Sequence, residues 1–172
     1  MKAAGIVRSI DELGRVVIPK EIRQQLRIVE GTPMEIYISR QQEIVLRKYS
    51  PLQEVRKMIV SYVDVLRAST RYEDIHVVDY DGNAVDSARS SFPIHDNVPD
   101  AVARSMEERR AYVIDKQQSF WSFSSAAIAP IVVHGDPVGA VLLGDKEVST
   151  LGDFELKLVE TAAYFIGKFL ES

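Results

Sequence analysis

Four short runs of alternating apolar and polar residues, rich in β-branched side chains, fill residues 4–10, 15–18, 34–39 and 43–49. One short helix fits between the second and third: Pro19 suits its first turn, where a missing N–H costs nothing, and Gly31 suits its end. A strand, strand, helix, strand, strand unit of about fifty residues buries only about 60% of its surface and is marginal alone. The chain contains no cysteine, so neither a disulfide nor a thiolate metal site can staple the unit. Association between copies is the remaining source of a core. Apolar residues such as Ile6, Val7, Val16, Val17, Ile36 and Ile44 fall on both faces of the strands, as in a sheet covered twice. The expectation is an obligate dimer.

Ser50-Pro51 marks a boundary, placing one domain at 1–50 and a second at 51–172. Leu52, Val55, Ile59, Tyr62 and Leu66 then recur at spacings of three and four and predict a linking helix over 51–70. Strands are expected at 75–79, 83–89, 112–115, 126–134 and 138–144, with Asp81-Gly82 as a hairpin-type turn. Residues 93–99 read as loop and 98–110 as helix. A closing helix over 152–170 carries Leu158, Ala162, Phe165, Ile166 and Phe169 on one stripe. It is expected to pack beside the 51–70 helix on one central sheet. The fold class is α+β.

Charge divides along the same boundary. Up to Lys48 there are nine Lys and Arg against six Asp and Glu, whereas the rest holds twelve against nineteen. A basic binding module joined to an acidic regulatory one has this asymmetry. Within the basic part Lys20, Arg23 and Arg27 form a cationic stripe on the short helix, with Ile22 and Leu26 facing inward. Like charges at these spacings repel by a few tenths of a kcal/mol per pair, which an anionic partner would offset. A solvated face balanced by Glu21 and Glu30 accounts for the stripe equally well. Arg8 and Arg15, at the strand ends flanking the Asp11-Glu12-Leu13-Gly14 loop, tilt the balance. A planar arginine fork takes a phosphate or the O6 and N7 edge of guanine bidentately.

Gly5-Ile6-Val7-Arg8, then Asp11-Glu12-Leu13-Gly14-Arg15-Val16-Val17-Ile18-Pro19 and Glu21-Ile22-Arg23, resemble the AbrB family of transition-state regulators through Tyr49. That resemblance implies an N-terminal swapped-hairpin β-barrel, in which two protomers interleave strands. It also implies control of sporulation genes and contact with double-stranded DNA through Arg8, Arg15 and Arg23. The family has a second arginine where this chain has Gln24, which keeps hydrogen-bonding capacity but removes one charge per protomer. The DNA-binding set expected is therefore Arg8, Arg15, Lys20, Arg23, Gln24 and Arg27.

Ala129-Pro130-Ile131, Gly135-Asp136-Pro137-Val138-Gly139-Ala140-Val141-Leu142 and the closing helix resemble a GAF domain. The resemblance implies an α/β sheet flanked by helices, with a small-molecule pocket under residues 90–99 and 119–125. Pairing of these domains through their helices would raise the dimer to a tetramer.

Other constellations carry less. Asp79, Asp81 and Asn83 begin like a calcium loop, but Gly82 is misplaced and Ser90 stands where the closing glutamate belongs. His76, His95 and His134 have no metal-ligand spacing. The serines at 90–91 and 119–125 lack a nucleophile elbow or phosphate-cradling glycines. Trp121, between Phe120 and Phe123, reads as a satellite core under a loop ahead of a pocket wall. No enzyme activity or cofactor is implied. With no signal-like apolar start and no long apolar run, a cytoplasmic, nucleoid-associated protein without membrane contact is expected. Two rivals stand beside the regulator: an antitoxin that binds its own promoter, and a small-molecule sensor that does not act on DNA.

Overall fold

The computed structural model describes residues 5–26, 28–86, 98–115, 123–148 and 151–172. The chain divides into two compact units, Met1–Tyr49 and Ser50–Ser172.

In the first unit α1 spans Lys20–Gln25, with Pro19 as its N-cap (φ −55°), one position earlier than expected. It ends well before Gly31. The Ile28 N–H reaches back to the Arg23 carbonyl at 2.8 Å, which closes the helix ahead of β-branched Ile28 and Val29, poor helix formers. Gly31 (φ 84°) serves instead in the turn closed by Thr32 N–H to the Val29 carbonyl at 3.1 Å. Strands β1 (Met34–Ile38) and β2 (Ile44–Lys48) follow as an antiparallel hairpin. Ile36 lies opposite Leu46 and Ile38 opposite Ile44, giving a face that is apolar apart from Lys48 opposite Met34. On the other face Arg47 meets Glu35 at 2.6 Å and covers the Tyr37 ring.

The strands expected at 4–10 and 15–18 carry no ladder within the chain over their described residues. Alternation supplies a strand with an apolar face but not with a neighbour, and among the described residues no other strand lies beside them. As a result none of the described side chains in the first unit is buried. Val7 is 90% exposed, Ile38 76% and Ile44 71%.

The second unit has its own core. Ser50 precedes α2 (Pro51–Glu54), and a break at Val55 (φ −102°, ψ 14°) separates it from α3 (Arg56–Ser69). The single helix expected over 51–70 is thus two. The break lets Leu52 lie over Gly139, where a Cβ would come within 2.6 Å of the Leu52 Cδ1. Next come β3 (Ile75–Asp79), α4 (Asp100–Glu108), β4 (Tyr112–Ile114), β5 (Ser125–Val133), β6 (Asp136–Asp145) and α5 (Asp153–Leu170). The sheet is antiparallel in the order β3-β6-β5-β4. Pro130 interrupts nothing, because β4 pairs with β5 only as far as Ile128 and leaves the strand an open side beyond it.

Alternate residues of β5 and β6 feed two cores. Ala127, Ala129, Ile131, Val141 and Leu143 pack with Ile59, Val63, Val159, Ala162 and Ile166 of α3 and α5. Ala126, Ile128, Ala140 and Leu142 pack on the opposite face with Val102 and Met106 of α4 and with Phe123. Burial on both faces explains why these two strands read as nearly continuous apolar runs. As expected, α3 and α5 lie side by side, with the Tyr62 and Phe165 ring centroids 4.7 Å apart. Helix α5 approaches β5 closely at Gly167, where an added Cβ would meet the Val132 carbonyl oxygen at 2.6 Å. Glycine is thus the residue that permits this contact.

The strand expected at 83–89 reduces to one bridge between Val78 and Ala84, flanked by bonds from the Asp79 N–H to the Asn83 carbonyl at 2.9 Å and from the Val85 N–H to the Val77 carbonyl at 2.8 Å. Asp86 then replaces the backbone: its Oδ1 accepts the Val77 N–H at 2.9 Å. Residues 87–89 lie outside the described residues. Among those described, no helix is long and apolar enough to cross a membrane.

Candidate nucleic-acid interface

The turn between residues 10 and 15 is built around one carboxylate. Asp11 Oδ1 accepts the N–H groups of Leu13 (3.0 Å) and Arg15 (2.8 Å). The Asp11 N–H donates to the Arg15 carbonyl at 3.0 Å, and Gly14 N–H to the Asp11 carbonyl at 2.9 Å. Gly14 sits at φ 75°, where a side chain would be strained. The other carboxylate oxygen, Oδ2, accepts Arg15 Nε at 2.8 Å. Arg15, through its backbone N–H and then its side chain, holds the Asp11 carboxyl below the ordinary range.

Arg8 is exposed and donates from Nη1 to its neighbour's carbonyl at 3.5 Å. Arg23 Nε donates to the Ile18 carbonyl at 3.2 Å, which ties the helix side chain back to the preceding segment. Lys20, Arg23 and Gln24 are all exposed on α1, which the Pro19 φ starts in a fixed direction. Ile22 turns partly inward, but Leu26, expected to face inward, is 52% exposed. Its packing partner is absent because the unit has no closed core within one chain. Arg27 lies outside the described residues. Arg8, Arg15, Lys20, Arg23 and Gln24 therefore all stand on solvent-facing surface of one small unit. Such surface is accessible to an anion, and guanidinium groups add bidentate geometry to charge.

In the second unit the expected pocket falls mostly on residues outside the described ones: 90–97 and 119–122, including Phe120, Trp121 and His95. Of the residues around it, Phe123 is buried in the α4 core, and its ring lies over Gly144, where a Cβ would be 2.5 Å away. A cavity of about 270 Å³ is lined by Asp100, Ala101, Arg104 and Tyr112. Arg104 pairs with Glu108 at 2.8 Å and covers the Tyr112 ring, and burial pushes the Tyr112 phenol up. Among the described residues no three His, Asp or Glu side chains gather in a way that would hold a metal. Asp79 staples its own turn instead, accepting N–H bonds from Asp81 (3.0 Å) and Asn83 (2.9 Å).

Sequence reasoning missed a buried polar network. Arg67 of α3 donates to Asp86 at 2.8 Å and to the Ile75 and Glu73 carbonyls, and His76 Nδ1 lies 3.3 Å from the same Asp86 oxygen. The group closes the open side of β3. Nineteen residues separate Arg67 from Asp86, so no local spacing signals their pairing.

Residues 54–171 match the family model described as stage V sporulation protein T C-terminal, transcription factor. Residues 7–54 match that of the antidote-toxin recognition MazE, bacterial antitoxin. Stage V sporulation protein T of Bacillus subtilis (strain 168) is 39% identical, over 99% of both chains. The transition state regulatory protein AbrB of the same organism is 55% identical over 51 residues, covering 30% of this chain and 52% of AbrB. A solved GAF domain region of a Geobacter sulfurreducens PCA protein superposes with a TM-score of 0.52 at 13% identity, over 69% of this chain and 93% of its own. The second unit accordingly has a GAF-like fold and the first is AbrB-like. With a family model matched over most of its length and a relative aligned end to end, the chain belongs to the stage V sporulation protein T family of transcription factors.

Proposed function

We propose that this chain regulates sporulation genes by occupying double-stranded DNA, without catalysis. Arg8, Lys20 and Arg23 engage phosphates, and Arg15 and Gln24 meet base edges. The observation that carries the reading is the exposure of Arg8, Arg15, Lys20, Arg23 and Gln24 together in an AbrB-like unit. Two first units interleave as a swapped-hairpin barrel, which supplies residues 5–10 and 15–18 with strand neighbours and buries the Ile36, Ile38, Ile44 and Leu46 face. Nucleoid association in the cytoplasm follows from that role.

The GAF-like unit senses a small molecule and alters the assembly of the first unit. A ligand does so only through different affinity for two states. The antitoxin reading, although residues 7–54 match an antitoxin model, expects a disordered acidic tail after Tyr49. The second unit instead has the two cores described above.

To test DNA binding, the intact wild type is titrated against a labelled duplex at low salt beside Arg23→Ala. Wild type binds and Arg23→Ala binds at least about tenfold more weakly, because charge-assisted contacts are each worth about 1.5–3 kcal/mol. No binding by either protein sinks the proposal in favour of the sensor that does not act on DNA.

Tetramer formation draws on a different surface. Val65, Phe154, Phe165 and Phe169 are at least 43% exposed, and with Tyr62 they line the outer edge of α3 and α5. Large exposed apolar residues grouped in this way mark an association surface. Val65→Glu, which touches neither core, is expected to halve the mass measured by light scattering while leaving the circular dichroism spectrum unchanged. An undiminished mass removes this surface from the assembly.

A further inference from the structure

A carboxylate on a surface that meets phosphates repels the partner, so bulk electrostatics makes Asp11 a liability there. Its ion pair with Arg15 is exposed, with side chains 42% and 70% accessible respectively. Exposed pairs of this kind contribute little to the stability of a fold, because water and salt screen them. Fold stability therefore gives this pairing little purpose, and its effect is on direction. An arginine side chain carries much rotamer entropy, and a held guanidinium loses less of it on binding. Asp11 itself is fixed by two backbone N–H bonds and takes Arg15 by Nε at 2.8 Å. The N–H groups of Nη1 and Nη2 are left for an acceptor outside the chain.

We propose that Asp11 is the positioning residue of Arg15: it grips the guanidinium by its Nε side so that the Nη1 and Nη2 edge is presented, already oriented, as a bidentate donor to the acceptor edge of guanine in the major groove. This rests on the DNA-binding reading above and adds to it a division of labour. Exposed cations that meet phosphates place the protein on the duplex, whereas a fork of fixed direction discriminates between bases. An acidic residue thus lowers general affinity and raises selectivity.

The test uses the intact chain and a duplex pool with a randomised central segment. Two quantities are measured: affinity for the unselected pool, and preference for duplexes selected by the wild type over that pool. In Asp11→Asn the side-chain carbonyl keeps both turn bonds, but the amide cannot pair with Arg15 Nε. It binds the unselected pool at least as tightly as wild type, and its preference falls about tenfold, the loss expected for one bidentate base contact. Arg15→Lys, which leaves the Asp11 turn intact and keeps the charge, shows the same loss. In an Arg15→Ala background, Asp11→Asn changes preference no further.

Retained preference in Asp11→Asn or Arg15→Lys overturns the assignment, as does an equal loss in the Arg15→Ala background. A wild type that binds the pool but enriches no sequence also overturns it, while leaving DNA binding standing. Wild type that binds no duplex at low salt overturns the DNA reading itself.

Discussion

Duplex affinity of the wild type is expected to fall by about five powers of ten for each tenfold rise in monovalent salt. The figure follows from counterion release, in which the logarithmic slope is about −0.9 per phosphate neutralised. In the proposed binding mode Arg8, Lys20 and Arg23 give three phosphate contacts per protomer and six in an interleaved pair. Arg23→Ala removes one contact from each protomer, so its slope is expected to be shallower by about two units. Titrations at four or more salt concentrations measure both slopes. A wild-type slope near zero, or identical slopes for the two proteins, contradicts the phosphate assignment of Arg23.

Loss of the Asp86 side chain is expected to destabilise the second unit by about 3–5 kcal/mol, as when one partner of a buried ion pair is removed. Asp86 is only 1% exposed at the side chain and Arg67 28%, so water replaces little of the lost interaction. Asp86→Ala also orphans the Val77 N–H. Arg67 is left pointing a cation at a cavity. Asp86→Asn, which still accepts from Val77, is expected to lose less, and comparison of the two by urea denaturation separates the edge bond from the charge. A shift below about 1 kcal/mol in Asp86→Ala would show that the network is incidental.

The same group sets a pH dependence. Burial works to raise the Asp86 carboxyl, but the His76 hydrogen bond, the Val77 N–H and the charges of His76 and Arg67 prevail and hold it below the ordinary range. A depressed carboxyl contributes stability above its unfolded pKa and loses it as pH falls through the folded one. The stability that Asp86 contributes is therefore lost as pH falls into the acid range.

The parts of the fold legible in the sequence are those whose packing is local to the chain. Strands β5 and β6 announce themselves because both faces are buried, and α5 because its stripe of Ala162, Ile166 and their neighbours meets one sheet. Residues 5–10 and 15–18 show a strand pattern but find no strand partner among the described residues, since alternation specifies a face and not a neighbour. The Val55 break depends on the fit of Leu52 over Gly139, a contact across 87 positions of sequence that helical periodicity cannot register. On the candidate interface, the exposed arginines are evident from residue type and spacing. The role of Asp11 is hidden behind its sign: an acid in a basic segment reads as charge balance until its two oxygens are seen to do different things.

The first unit buries none of its described side chains within a single chain, so in the proposed interleaved pair its stability is a function of how many chains are present. A folded state stabilised by mass action weakens on dilution by RT times the logarithm of concentration. Scarce protomers spend more time with Val7, Ile38 and Ile44 in water, open to proteases and to wrong partners. In that assembly the supply of the protein itself would act as a threshold, below which the first unit does not persist.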